Sequence, residues 1–210
     1  MITTSTFEKR QIEQLASGIK ARRILEVGVF QGKTTAVLSR VAGADGLVVA
    51  VDPMIWSSKP AHFFEWIDGI MHPRSYEKTF WRNVKRSGFE NVWLVKELST
   101  NDALIHNDDP RLAEFDFAFI DGEHTYDGAS ADIRNWGRRV RPGGILAMHD
   151  CIRRFPGVQQ AVAELQGDPR YRVELPKRGS IAVVHVLAAP TAAEVGENGN
   201  GSNGHNGSAH

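Results

Sequence analysis

Phe115-Asp116-Phe117-Ala118-Phe119-Ile120-Asp121 and Ile145-Leu146-Ala147-Met148-His149-Asp150 are two short apolar runs, each ending on an acidic residue. Between them, Gly128 to about Arg138 reads as a helix, and Pro142-Gly143-Gly144 reads as the turn into the second run. Strands that are apolar almost throughout, separated by a helix, belong to a parallel sheet covered on both faces. The same alternation extends outward. Upstream lie Arg23-Ile24-Leu25-Glu26-Val27, a helix over Thr34–Val41, Leu47-Val48-Val49-Ala50-Val51 ending at Asp52-Pro53, a helix through Lys85, and Val92-Trp93-Leu94-Val95. Ser5-Thr6-Phe7-Glu8 has the form of a capping box and opens a first helix with Phe7, Ile12, Leu15 and Ile19 along one side. Downstream, Gly157–Leu165 reads as a helix, followed by strands at Tyr171–Leu175 and Ile181–Val186. The link between these strands, Pro176–Ser180, is too short for a parallel crossover, so they form an antiparallel hairpin at a sheet edge.

Composition narrows the classes. The chain has 210 residues, a length suited to one α/β domain with a sizeable core. Lys+Arg and Asp+Glu are 25 each, so no basic surplus points to nucleic acid. A lone Cys151 excludes an internal disulfide framework and a cysteine-rich zinc module, and fits a reducing compartment. The start, MITTSTFEKRQIEQL, lacks a basic segment followed by an apolar one, and no apolar run reaches the roughly 18 residues of a membrane helix. The expectation is a soluble, cytoplasmic protein with no nucleic-acid or membrane partner. From Ala188 the chain turns to Gly, Asn, Ser and Ala without an aromatic residue, which predicts a folded unit over 1–187 and a disordered tail over 188–210.

Open parallel sheets bind ligands beyond the carboxyl ends of their strands. The first such end is Glu26-Val27-Gly28-Val29-Phe30-Gln31-Gly32-Lys33-Thr34. A phosphate loop of the form Gly-x-x-x-x-Gly-Lys-Thr would need glycine where Val27 stands, and a dinucleotide fingerprint would need it where Phe30 stands. What remains is Glu-x-Gly-x-x-x-Gly, similar to the loop with which class I methyltransferases hold S-adenosylmethionine (SAM). The bland reading is an ordinary turn. Against it stands Asp52, at the next strand end and 24 positions past Gly28, where a carboxylate can accept ribose hydroxyls.

The richest segment is Asp121-Gly122-Glu123-His124-Thr125-Tyr126 together with His149-Asp150. If the two strands are neighbours, their ends lie about 5 Å apart. Asp121, His149 and Asp150 then converge, with His124 reaching over from the loop. Singly, the acids read as helix caps and His149 as a satisfied core histidine. Together on one rim they read as a metal or catalytic site, and their hard oxygen donors suit Mg²⁺ or Mn²⁺. A divalent cation lowers the pKa of a bound hydroxyl, and a neutral histidine can take its proton.

The pattern Ile120-Asp121-Gly122, His124, Tyr126, Asp132, Trp136, Pro142-Gly143-Gly144, His149-Asp150 resembles the small metal-dependent O-methyltransferases of the class I SAM-dependent superfamily. The resemblance runs from Ile24 to Val186. It implies a Rossmann-like, seven-stranded, mostly parallel sheet in the order 3-2-1-4-5-7-6, strand seven antiparallel, with helices on both faces. It implies SAM held by Glu26, Gly28, Gly32, Asp52 and Asp121, and adenine near Glu97-Leu98-Ser99-Thr100, of which Ser99 is carried forward. It implies Mg²⁺ or Mn²⁺ at Asp121, His149 and Asp150, with His124 as general base. Relatives often have an acid where this chain has His149, so His149 is either ligand or second base.

The implied reaction is methyl transfer to a hydroxyl of a small molecule, a sugar or saccharide first among acceptors. Trp56, Phe63, Phe64, Trp66, Phe80 and Trp81, with His62 and His72, form an aromatic segment over 54–81 that reads either as a substrate wall or as a satellite core or homodimer interface. An iron-dependent hydroxylase on the same fold, and a SAM- or nucleotide-binding module without turnover, are the alternatives.

Overall fold

A computed structural model describes residues 4–54 and 73–187. The proposed tail over 188–210 and residues 55–72 of the aromatic segment lie outside the described residues. Helix α1 (Thr6–Gly18) starts at the expected capping box. The Ser5 hydroxyl accepts from the Glu8 amide, and the Glu8 carboxylate accepts from the Ser5 amide. Strand β1 (Arg23–Val27), α2 (Lys33–Ala42), β2 (Leu47–Val51), α3 (Pro73–Val84) and β3 (Val92–Val95) follow. Then come a short α4 (Asp102–Ile105), β4 (Phe115–Ile120), α5 (Tyr126–Asn135), β5 (Val140–Met148), α6 (Pro156–Glu164), β6 (Tyr171–Glu174) and β7 (Ala182–Val186).

The strands form one sheet in the order β3-β2-β1-β4-β5-β7-β6. β1 pairs in parallel with β2 and β4, β2 with β3, and β4 with β5. β7 runs antiparallel to both β5 and β6. The expected order and the edge hairpin are both present.

Period-two alternation distributes the core. On β4, Phe117 and Phe119 face a layer with Ile12 and Ala16 of α1 and Leu38 of α2. Ala118 and Ile120 face the other layer, with Ile133 of α5, Trp136, and Val158 and Val162 of α6. Trp136, Phe115, Phe117 and Phe119 are almost wholly buried. At about 1.5–3 kcal/mol for each fully buried large apolar side chain, these positions supply much of the drive to fold.

Two boundaries differ from the sequence reading. Pro142-Gly143-Gly144 lies inside β5, which begins at Val140. The β4–β5 register runs Phe115↔Val140 and then Phe117↔Ile145, so the glycines form an irregular bulge. Gly143 has φ +80°, and a Cβ on Gly144 would stand 2.5 Å from the Asp116 carbonyl oxygen, so the motif packs strand on strand. Helix α5 starts at Tyr126, before Gly128, because the Thr125 hydroxyl caps it by accepting from the Gly128 amide.

Candidate active site

The carboxyl ends of β1, β2, β4 and β5 meet on one rim. β1 feeds the glycine loop. Gly28 has φ +80°, and a Cβ there would fall 2.1 Å from the carbonyl oxygen of Asp121. The loop therefore presses directly on the end of β4, and only glycine fits. Gly32, φ +71°, precedes the first turn of α2 and rests on the Phe80 ring, 2.6 Å from where a Cβ would sit. Asp52, at the end of β2, shapes the loop from the side. One oxygen accepts from the Val29 and Phe30 amides at 2.9 and 3.0 Å, and the other accepts from the Met54 amide at 2.7 Å. Phe30 itself is held at φ +45°.

Glu26 is 1% exposed, and its Oε2 has no hydrogen-bond partner among the described residues. Burial pushes its pKa well above the ordinary carboxylate range. The Thr35 hydroxyl opposes that shift, while the charges of Asp121 and Asp52 add to it. Ser99, beyond β3, accepts through its carbonyl from Trp136 Nε1 at 2.8 Å. Beside it lies Asp132, 2% exposed, whose Oδ2 would be 2.8 Å from a Cβ on Gly122. Burial raises the Asp132 pKa to about 6; the Ser99 hydroxyl lowers it and Glu123 adds to the rise.

The second half of the rim is a cluster of one imidazole and two carboxylates. Donor atoms of Asp121, His124 and Asp150 all lie within 4.8 Å of one another. His124 Nε2 is 3.0 Å from Asp150 Oδ2 and 3.8 Å from Asp121 Oδ1. Its ring stacks on Phe155 with centroids 4.4 Å apart. Asp121 and Asp150 raise the His124 pKa to about 9 against the opposing effect of burial. Asp150 is 1% exposed at φ +56°, and its Oδ1 has no partner among the described residues. A nearly buried, unpartnered carboxylate oxygen beside a second carboxylate is a donor set that fits a hard divalent cation.

His149 comes against the expected pair of acids, its Nδ1 also lying 3.6 Å from Asp150 Oδ2. Its side chain is fully buried; Nδ1 lies 2.9 Å from Asp121 Oδ1, and Nε2 faces Glu8 Oε2 at 3.7 Å. Both ring nitrogens are thus directed at carboxylates, and His124 approaches the same two acids from the more exposed side. Burial works against a charged His149, but Asp121, Asp150 and Glu8 outweigh it and raise its pKa. Cys151 is buried, and burial raises its thiol pKa, so it is not an activated nucleophile. Glu8 was visible in the sequence only as a helix cap. Its approach to this rim depends on a contact across 172 residues, for which local sequence carries no signal.

The seven-stranded order, its single antiparallel insertion and the glycine loop at the first strand end define a class I methyltransferase fold. The family described as "Methyltransferase domain" matches residues 25–151, more than half of the chain, and the chain belongs to that family. No curated protein matches it in sequence. Among solved structures it is similar to the O-methyltransferase TomG from Streptomyces achromogenes, involved in tomaymycin synthesis and solved with SAM. Identity is 20%, with 89% of this chain and 82% of that one covered and a TM-score of 0.66. Cofactor-bound Rv0187 from MTB gives 21%, 88%, 82% and 0.66. The O-methyltransferase from Bacillus cereus, in complex with SAH, gives 18%, 89%, 83% and 0.63. Among the described residues, no helix is long and apolar enough to cross a membrane.

Proposed function

We propose that this chain is a SAM-dependent O-methyltransferase acting on a hydroxyl of a small molecule, a saccharide first among acceptors, with help from a divalent cation. The observation that carries the reading is adjacency. The glycine loop touches the backbone of Asp121, and Asp121 also belongs to the Asp121–His124–Asp150 cluster. A donor held by the loop and an acceptor held at the cluster would meet across one residue.

SAM supplies a methyl group on a sulfonium, and Mg²⁺ or Mn²⁺ supplies positive charge that favours the acceptor's deprotonated form. The rest falls to this chain. Gly28 and Gly32 let the backbone approach closely, while Asp52 holds the loop through the Val29 and Phe30 amides. Asp52 and Asp121 flank the turn with carboxylates, an environment suited to a cationic ligand, while burial favours the neutral form of Glu26. Ser99 would line the adenine, with Asp132 hydrogen-bonded to its hydroxyl. Asp121 and Asp150 would hold the cation, with His124 beside them to receive the acceptor proton. A histidine with a pKa near 9 already carries a proton at neutral pH. Once both carboxylates serve a cation, their pull on His124 weakens and the ring can act as a base. The saccharide reading draws on the aromatic composition of 54–81, whose ring faces suit sugars; Phe80, buried beneath Gly32, takes no part in that.

The test is titration of the purified protein with S-adenosylhomocysteine (SAH), with and without Mg²⁺, followed by transfer assays on sugars and phenols. Micromolar SAH binding, transfer to a hydroxyl, and loss of transfer in chelator are expected. His124→Ala should keep SAH affinity and lower turnover by roughly 10²–10⁴-fold, the usual contribution of a general base. Absence of SAH binding in both conditions overturns the cofactor, and full turnover in excess chelator overturns the metal.

A further inference from the structure

We propose that Glu8, on the amino-terminal helix, is a positioning residue for this centre, holding Asp121 through His149 and the Asp150 backbone through Ser180. The proposal rests on the metal-assisted reading above and deepens it.

The two oxygens of Glu8 serve different neighbours. Oε2 accepts from the amide and hydroxyl of Ser5 at 2.9 and 2.7 Å and faces His149 Nε2 at 3.7 Å. Oε1 accepts from the amide and hydroxyl of Ser180 at 3.0 and 2.6 Å. A helix cap needs only Ser5, and capping glutamates can stay in water. Glu8 is 5% exposed instead, and its pKa is lowered to about 2. Burial opposes that shift, which the hydrogen bonds from Ser180 and Ser5 produce, with His149 contributing.

Both neighbours lead to the cluster: His149 to Asp121 at the shorter distance and to Asp150 Oδ2 at 3.6 Å, and Ser180 to the Asp150 backbone. The His149 ring, edge-on to Phe119 with centroids 5.8 Å apart, has no exposed surface and places Nδ1 2.9 Å from Asp121 Oδ1. Ser180 Oγ accepts from the Asp150 amide at 3.4 Å, and Ser180 O accepts from the Cys151 amide at 2.8 Å. These contacts hold the turn in which Asp150 adopts φ +56°. Asp121, with a side chain 20% exposed, would otherwise be freer to rotate. Carboxylates that bind metals are themselves oriented by hydrogen bonds, and losing that support typically costs 10–100-fold in metal affinity.

The experiment measures Mn²⁺ affinity of the full chain by electron paramagnetic resonance, with SAH affinity by calorimetry in parallel. The variants are Glu8→Gln, which keeps the size and removes the charge, His149→Ala, and His149→Asn, whose amide can replace Nδ1 toward Asp121. Glu8→Gln and His149→Ala should bind Mn²⁺ at least roughly tenfold more weakly, with SAH affinity held within about twofold. His149→Asn should recover most of the loss. Parent-like Mn²⁺ affinity in Glu8→Gln and His149→Ala overturns the positioning role alone. SAH affinity falling in step with Mn²⁺ overturns it too, since that marks general loosening. A parent protein that binds SAH but no Mn²⁺ overturns both this role and the metal reading.

Discussion

Asp132 shows what a single buried acid does to a fold. It is 2% exposed, one of its oxygens has no hydrogen-bond partner among the described residues, and its pKa is raised from 3.8 to about 6. A folded-state pKa above the unfolded one means that stability is fully present below about 4 and declines as pH rises through 6. At pH 7 the folded protein bears a cost on the order of 3 kcal/mol for ionising this group. Asp132→Asn does not ionise. Its stability relative to the parent should therefore be greater at pH 7 than at pH 4 by about 1–3 kcal/mol, measured by urea unfolding at both values. An equal difference at the two pH values would refute the assignment.

At the scale of elements, the legible parts were those set by local pattern. Near-continuous apolar strands, the Ser5–Glu8 box and the short Pro176–Ser180 link each name their structure within a few residues. The Pro142-Gly143-Gly144 bulge was misread as a turn, because glycine signals a sharp bend and a close approach equally well. The spacing brings His124 and His149 to one rim, but the division of contacts between them is not legible. It depends on which way each ring rotates, and that is fixed by Phe155 on one side and by Glu8 and Phe119 on the other. Trp136 illustrates the same limit. The sequence marks it as part of a pattern, whereas the structure makes it a tie from just past α5 to the Ser99 carbonyl. Trp136→Phe keeps most of the apolar burial and leaves that carbonyl without its donor, at a cost of about 1–3 kcal/mol. The loop after β3 should loosen, and SAH affinity measured by calorimetry should drop several-fold while Mn²⁺ affinity holds. Unchanged SAH affinity would dissociate Ser99 from the cofactor site.

For the molecule as a whole, the sheet order brings four parallel strand ends to one rim, and under the proposed function their contributions divide into two subsites joined at Asp121. β1 and β2 supply Glu26, Gly28 and Asp52, while β4 and β5 supply Asp121, His149 and Asp150. Ligands that bind only the folded state raise its stability by mass action, by about 2.7 kcal/mol at a hundred times Kd. For a domain of this size that is a rise of roughly 5–10 °C in Tm. Saturating SAH and saturating Mn²⁺ should each shift the melting of the parent protein. Asp52→Ala removes the acceptor of the Val29 and Phe30 amides and should abolish most of the SAH shift while sparing the Mn²⁺ shift. Asp150→Asn should do the reverse, because its carboxylate faces His124 on the far side of Asp121. Asp121→Asn should diminish the Mn²⁺ shift, since its side chain belongs to the cluster, and should spare most of the SAH shift, since its backbone contact with Gly28 is unchanged. Loss of both shifts in Asp52→Ala and Asp150→Asn alike would mean that the rim responds as one unit. The separation of donor and acceptor sites along the sheet would then be lost, and with it the adjacency on which the proposed transfer depends.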